Sequence, residues 1–132
     1  MIEPCPHCQV KHRLITAEEC LDRSMTEKTL QDRVVGRAKR RGWMVAHAGR
    51  GIAAFDKAGN PIYVTAIAEG WPDLFLLRPS DGGKVAMELK KEQNDLEPAQ
   101  LKWLQALNAC GIPAIMVRPS DLRLGWVNEI LE

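Results

Sequence analysis

The segment KVAMELK, residues 84–90, constrains the chain most. Side chains alternate across an extended strand, so Val85, Met87 and Leu89 take one face while Ala86, Glu88 and Lys90 take the other. The apolar set demands a covering layer of helix. What remains is a carboxylate and an ammonium two residues apart, with Cα atoms ~6–7 Å from each other, close enough to share one small ligand. Upstream, Asp73–Leu77 (DLFLL) reads as a second strand, and Pro79, Ser80, Asp81, Gly82 and Gly83 between the two are turn residues. The pair is therefore a hairpin with a testable register. If Asp73 opposes Glu88, then Leu77 opposes Lys84, residues 78–83 form the turn, and both acids lie on one face. A slip of one residue would send them to opposite faces.

The rest of the pattern supplies the layers. Residues 24–41 are helical: Leu30, Val34 and Ala38 recur at helical intervals, Ser24 and Glu27 have capping-box spacing, and Gly42 ends the element. WMVAH (43–47) reads as a first strand. Residues 48–70 read as an irregular hairpin or loop, in which 61–65 (PIYVT) pairs with a short neighbour near 52–55. Pro98 opens a helix that runs to about Cys110 and stops at Gly111, Ile112 to Val117 forms another strand, and a short helix from Ser120 closes the chain. Helix, strand, hairpin, helix, strand, helix is the order of a mixed α/β layer domain. Residues 1–23 read as a cysteine-rich appendage and 24–132 as the domain.

Two adjacent carboxylates repel each other, and a half-buried setting tolerates them poorly without a compensating cation. Oxygen-only ligands favour Mg2+ or Mn2+, with Lys90 placed to hold or activate a water. The competing reading is a solvated strand face with Asp73 as a turn residue after Pro72. Gln100 weighs against it. On the second helix Trp103, Leu104 and Leu107 mark the buried stripe, and Gln100 falls near its middle, where a polar side chain needs a partner. Glu27 and Gln31 lie in line with the apolar stripe of the first helix, although Glu27 is equally well explained as the capping acid. His47, at the end of the first strand, is placed either to touch a ligand or to serve structure alone.

Lys and Arg (18) nearly balance Asp and Glu (17), so total charge decides nothing about nucleic acid. Locally, Arg33, Arg37, Lys39, Arg40 and Arg41 crowd the first helix, Arg50 sits in AGRG, and Lys91 follows Lys90. These cations suit phosphate, while those near the helix end also stabilise it without a ligand. Cys5-Pro6-His7-Cys8 is half of a zinc knuckle, with His12 and Cys20 as the remaining ligands of a structural Zn2+ site; reduced free thiols are the alternative. His7 is sterically awkward between the two cysteines. Cys110 reads as core. No run approaches the ~18–20 apolar residues of a membrane span, and no export signal is evident, so a cytoplasmic protein without a membrane partner is expected.

Glu27 in TEKTLQ, Gly70-Trp71-Pro72-Asp73, Glu88-Leu89-Lys90 and Gln100 in EPAQLKWL together resemble the virus-type replication-repair nuclease (VRR-NUC) domain of the PD-(D/E)XK nuclease superfamily, over roughly residues 25–118. The resemblance implies a restriction-endonuclease-like core, a central mixed β-sheet flanked by helices in the order αβββαβ. It also implies that Asp73, Glu88 and the Leu89 carbonyl bind the metal, that Lys90 serves the nucleophile, and that Glu27 and Gln100 complete the site. The product would carry a 5′-phosphate. Stand-alone members of that family act as homodimers on branched DNA such as Holliday junctions, which implies a similar resolvase activity here, in a bacterial or phage-infected cytosol. A nicking, flap or single-strand nuclease and a non-catalytic DNA-binding module are the alternatives. Trp71, where the family more often has a smaller apolar residue, and the long segment 49–69 depart from the pattern and bear on the substrate groove.

Overall fold

The computed structural model describes residues 3–48, 50–65 and 67–132. Its elements are α1 (Ala17–Ser24), α2 (Glu27–Arg40), β1 (Met44–His47), β2 (Arg50–Phe55), β3 (Pro61–Thr65), β4 (Leu74–Arg78), β5 (Gly83–Leu89), α3 (Pro98–Ala109), β6 (Ala114–Val117), α4 (Pro119–Arg123) and α5 (Trp126–Leu131). Four strands form one sheet in the order β1-β4-β5-β6. The first two pairings are antiparallel, and β6 joins β5 in parallel after the α3 crossover. From α2 onward this is the expected αβββαβ mixed sheet, with the separate β2–β3 hairpin inserted between its first two strands. That hairpin, bulged between Ile52 and Ala54, occupies the irregular stretch expected there.

Each sheet face buries its own set of side chains. Val85, Met87 and Leu89, with Leu74, Leu76 and Val117, pack against Leu30, Val34 and Ala38 of α2, Leu122 of α4, and Val127 and Leu131 of α5. Ala86 and Ala114 pack against Leu104 and Leu107 of α3, with Trp71 and Phe75 alongside. Strand alternation therefore turns the even-numbered residues of β5 toward α3. The far end of the chain is tied to the sheet by polar contacts: Trp43 Nε1 donates to the Leu131 carbonyl at 2.9 Å, as does Arg78 Nη1, and the Arg78 guanidinium lies 4.5 Å from the Trp43 ring centroid.

Several boundaries differ from the sequence reading. Ser24 is the last residue of α1, and α2 is capped by Thr26, whose hydroxyl accepts from the Thr29 N–H at 3.1 Å. Both residues are competent caps, and the extended backbone at Thr26 selects it. Glu27 is thus the first helical residue and not a capping-box acid. Residues 17–23, counted with the appendage, form with Ser24 a helix capped by the Thr16 hydroxyl. Arg50 opens β2 instead of standing in a loop; its side chain and Gly49 lie outside the described residues. The turn of the central hairpin is tighter than expected, because Arg78 still pairs with Gly83. Cys110 is exposed and not core: it caps α3 just before Gly111 turns the chain at φ 82°, beyond the reach of the packed stripe.

Candidate active site

The site grows out of the β4–β5 register. Leu77 pairs with Lys84 and Leu74 with Met87, and one further step along the same ladder sets Asp73 opposite Glu88. This is the register that unites the two acids, and both then face α3. The Asp73 carboxylate accepts a hydrogen bond from the Leu89 N–H at 2.9 Å, which fixes it across the strand end. The Asp73 carbonyl in turn accepts from the Ala48 N–H at 2.9 Å, so β1 braces the same residue.

Glu88 is 3% exposed and Lys90 8%, a depth at which charged side chains are rare unless they are paired or functional. Glu88 Oε1 accepts from Gln100 Nε2 at 2.8 Å. Glu88 Oε2 is buried without a hydrogen-bond partner. Burial first, and the neighbouring Asp73 charge second, push the Glu88 carboxyl up to about 8, against the opposing pull of Lys90. At neutral pH Glu88 therefore stays largely protonated.

Gln100 is placed by both of its ends. Its Oε1 accepts from the Glu97 N–H at 2.8 Å in the first turn of α3, while its amide nitrogen reaches Glu88. The partner that a glutamine on an apolar stripe requires is thus the acid on β5.

Gly70 and the aromatic residues around it contribute a positioning element that the sequence reading had not assigned. Gly70 has φ +82°, and a Cβ there would lie 2.4 Å from the Ala99 carbonyl carbon, so only glycine lets this loop close on the start of α3. Trp71 meets Trp103 edge-on at 5.1 Å between centroids and stacks with Phe75 at 6.2 Å. Trp103 Nε1 donates to the Glu69 carbonyl at 3.0 Å. Trp71, the departure from the family pattern, is therefore a clamp between α3 and the loop that delivers Asp73. The sequence signal was available in Gly-Trp-Pro followed by Trp103 at the stripe, but an aromatic pair far apart in sequence has no periodicity to announce it.

Other candidates stand apart. Glu27 is exposed at the start of α2, the helix covering the opposite sheet face, and no hydrogen bond among the described residues joins it to Asp73, Glu88 or Lys90. His47 pairs with Leu74 at the end of β1 and is exposed, one residue from the Ala48–Asp73 contact. Arg33, Arg37 and Arg40 line a concave patch of α2 with Asp32 and Gly36. Arg37 Nη1 is buried and unpartnered, and burial, then the charges of Arg33, Arg40 and Arg41, lower the Arg37 guanidinium below its usual range. Arg41 is partly buried, with Nη1 donating to the Arg37 carbonyl, and Lys91 is exposed beside Lys90.

A second cluster lies at the N-terminus, where the ligand atoms of Cys5, Cys8, His12 and Cys20 all fall within 4.8 Å of one another. The Cys5 thiol, although raised by burial, is brought down to about 6 by the backbone N–H groups of Cys8 and His7 and by His12 and Cys20. Burial and the two neighbouring cysteines push Cys20 up to about 11. His7 takes no part in the cluster.

No helix among the described residues is long and apolar enough to cross a membrane. Residues 64–121 match the VRR-NUC domain, the nuclease family that the motifs resemble. The matched span carries Asp73, Glu88, Lys90 and Gln100, and it leaves out Glu27 and the N-terminal cluster. No curated protein and no solved structure matches the chain significantly.

Proposed function

We propose that this chain is an endodeoxyribonuclease dependent on Mg2+ or Mn2+, with Asp73, Glu88 and the Leu89 carbonyl as metal ligands. The observation that carries the reading is the unpartnered, buried Oε2 of Glu88 facing the same side as Asp73. An oxygen-only donor set of two carboxylates and a backbone carbonyl fits a hard divalent cation, which also relieves the repulsion that raises Glu88. When bound, such an ion neutralises charge on the scissile phosphate and lowers the pKa of a water.

The chain's own groups do the rest. Gln100 holds Glu88 Oε1, so the other oxygen of that carboxylate stays aimed at the ligand position. The Leu89 N–H does the same for Asp73. Lys90, an ammonium with three donors, orients the attacking water and stabilises the charge that develops on the phosphate. The water oxygen bonds to phosphorus, the bond from phosphorus to the 3′-oxygen breaks, and the products are a 5′-phosphate and a 3′-hydroxyl. Glu27, outside the matched span and exposed, enters this scheme only if substrate or metal draws it toward the strand ends.

Arg33, Arg37, Arg40 and Arg41, with Arg50 and Lys91, are proposed to hold the DNA backbone. Burial first and the charges of Arg33, Arg40 and Arg41 second lower Arg37, and a phosphate beside these cations would relieve the second of these. Branched DNA, cut by a homodimer with two active sites, is the substrate proposed from the habit of small stand-alone family members. The test is incubation of labelled four-way junction, linear duplex and flap with Mg2+, with Mn2+ or without divalent ion, using wild type and Lys90→Ala. The proposal expects metal-dependent cutting, strongest on the junction and lost in the variant. Cutting unchanged by Lys90→Ala would sink the mechanism, preference for the flap would replace the junction, and no cutting of any substrate would leave a DNA-binding module.

A further inference from the structure

We propose that Cys5, Cys8, His12 and Cys20 form a closed structural zinc site that fastens the N-terminal segment to α1. The site is independent of the nuclease reading, and its sulfur and nitrogen donors select a different class of metal from the oxygen site on the sheet.

Four donors within 4.8 Å of one another are close to the tetrahedral set that zinc adopts, in which sulfurs at 2.3 Å from the ion stand about 3.8 Å apart. The backbone around Cys5 and Cys8 is already shaped for it. The Gln9 N–H donates to the Cys5 carbonyl at 2.8 Å, the Cys5 N–H to the Val10 carbonyl at 2.9 Å, and Gln9 itself takes φ 63°. Gln9 is the one non-glycine residue in the left-handed region among the described residues, a local cost that a bound ion would offset.

His12 supplies the second, independent indication. Its Nδ1 lies 2.7 Å from the Ile15 carbonyl, which makes Nδ1 the protonated nitrogen and leaves Nε2 with a lone pair. That Nε2 is buried and has no hydrogen-bond partner. Fixing the imidazole through one nitrogen to a carbonyl while the other faces thiols is the arrangement that orients a histidine ligand. Cys5, 4% exposed, belongs to neither core cluster, so apolar packing does not account for its burial.

All four coordination positions would be filled by the chain, so the site is structural and leaves no place for substrate. Its mechanical consequence follows from Cys20, which lies on α1. Two residues on, Asp22 is 3% exposed and accepts from Arg123 Nε of α4 at 2.8 Å. Zinc therefore holds residues 5–20 closed on a helix that is itself latched to the nuclease domain. Without the ion, three thiols and an imidazole would remain in a segment with little apolar burial to order it.

The test uses the full chain, purified under reducing conditions with Zn2+ as the probe. One zinc per chain is expected, and replacement by Co2+ should give the visible absorption of a tetrahedral thiolate site. Thiol labelling of zinc-loaded protein should modify Cys110 alone, and chelation should raise the count from one to four. Cys110→Ser should retain zinc, each of Cys5→Ser, Cys8→Ser and Cys20→Ser should lose it, and His12→Cys should keep it as a four-sulfur site. Should a serine variant fail to fold, the wild-type metal content and labelling still decide. Less than about 0.1 zinc per chain after reconstitution, or four reactive thiols in zinc-loaded protein, would overturn the proposal.

Discussion

The Asp73–Glu88 pair and the Cys5–Cys8–His12–Cys20 cluster both gather ligand atoms that repel or crowd one another, but they are held by opposite means. The acids ride on paired strands between two packed faces, so the sheet enforces their approach whatever occupies the site. The cysteines sit on a turn and a short helix outside both cores, where few other contacts would keep them together. If each binds a cation as proposed, its loss from the first should change charge and leave the fold in place. Loss from the second should loosen the segment itself.

The sharpest way to break this contrast is Glu88→Gln. Removing the charge should cost cutting about 10³-fold, since a positioned electrostatic group is lost from the reacting centre. The same change should raise the thermal stability of the metal-free protein at pH 9, because a buried, unpaired like charge disappears. A variant that is inactive and also less stable would mean the acid pair is a structural device, and the sheet would not be enforcing a strained arrangement.

pH offers the next test. Native Glu88 keeps its proton to about 8, whereas in the unfolded chain it releases it near 4.5. Between those values the native state binds more protons than the unfolded one, so stability falls as pH rises, by up to about 1.4 kcal/mol per pH unit. Saturating Mg2+ should flatten that slope, and Mg2+ affinity should climb until about pH 8 and then level off. Urea denaturation of zinc-loaded protein across pH 5–9, with and without Mg2+, measures both. A magnesium-independent slope would remove Glu88 from the ligand set.

How much of this was legible before the structure differs between the two regions for the same physical reason. Strand alternation has period two, so KVAMELK and DLFLL fixed the faces, and Leu77 opposite Lys84 fixed the register. Gln100 announced itself as a polar residue on an apolar stripe and found Glu88. Cysteine and histidine spacing named the four members of the N-terminal cluster without fixing their geometry. The α1 helix was invisible because, apart from Leu21, its residues are small or polar, and its attachment is to α4, distant in sequence, through contacts that include the ion pair spanning residues 22 to 123. Thr26 displaced Ser24 as a cap because two hydroxyl residues two positions apart carry the same local signal, and the chain path between α1 and α2 decides between them. Cys110 kept the helical period of Leu104 and Leu107, yet the period outlasts the surface it packs on.

Gly70→Ala should be costly on the sheet side of the comparison. The added Cβ meets Ala99 backbone at 2.4 Å while φ stays at +82°, so the loop must shift and about 2–3 kcal/mol of stability should be lost. Because that loop carries Asp73, cutting should fall more than the stability change explains. Nuclease assays well below the melting temperature separate the two effects.

The smallest effect belongs to the latch. In Arg123→Met the methionine keeps much of the apolar stem of the side chain but leaves Asp22, buried on α1, without its partner. Removing one member of a fully buried pair costs several kcal/mol, but the Arg123 side chain is 34% exposed, so water can enter and the expected loss is about 1–2 kcal/mol. If zinc holds residues 5–20 closed, the cost should appear as α1 detaching with its zinc still bound: thiol labelling stays at Cys110 alone while amide exchange quickens across residues 17–24. If thiols and amides open together, the cluster and the latch are one cooperative unit, and the N-terminal region is held by its contacts with α4 as much as by its metal.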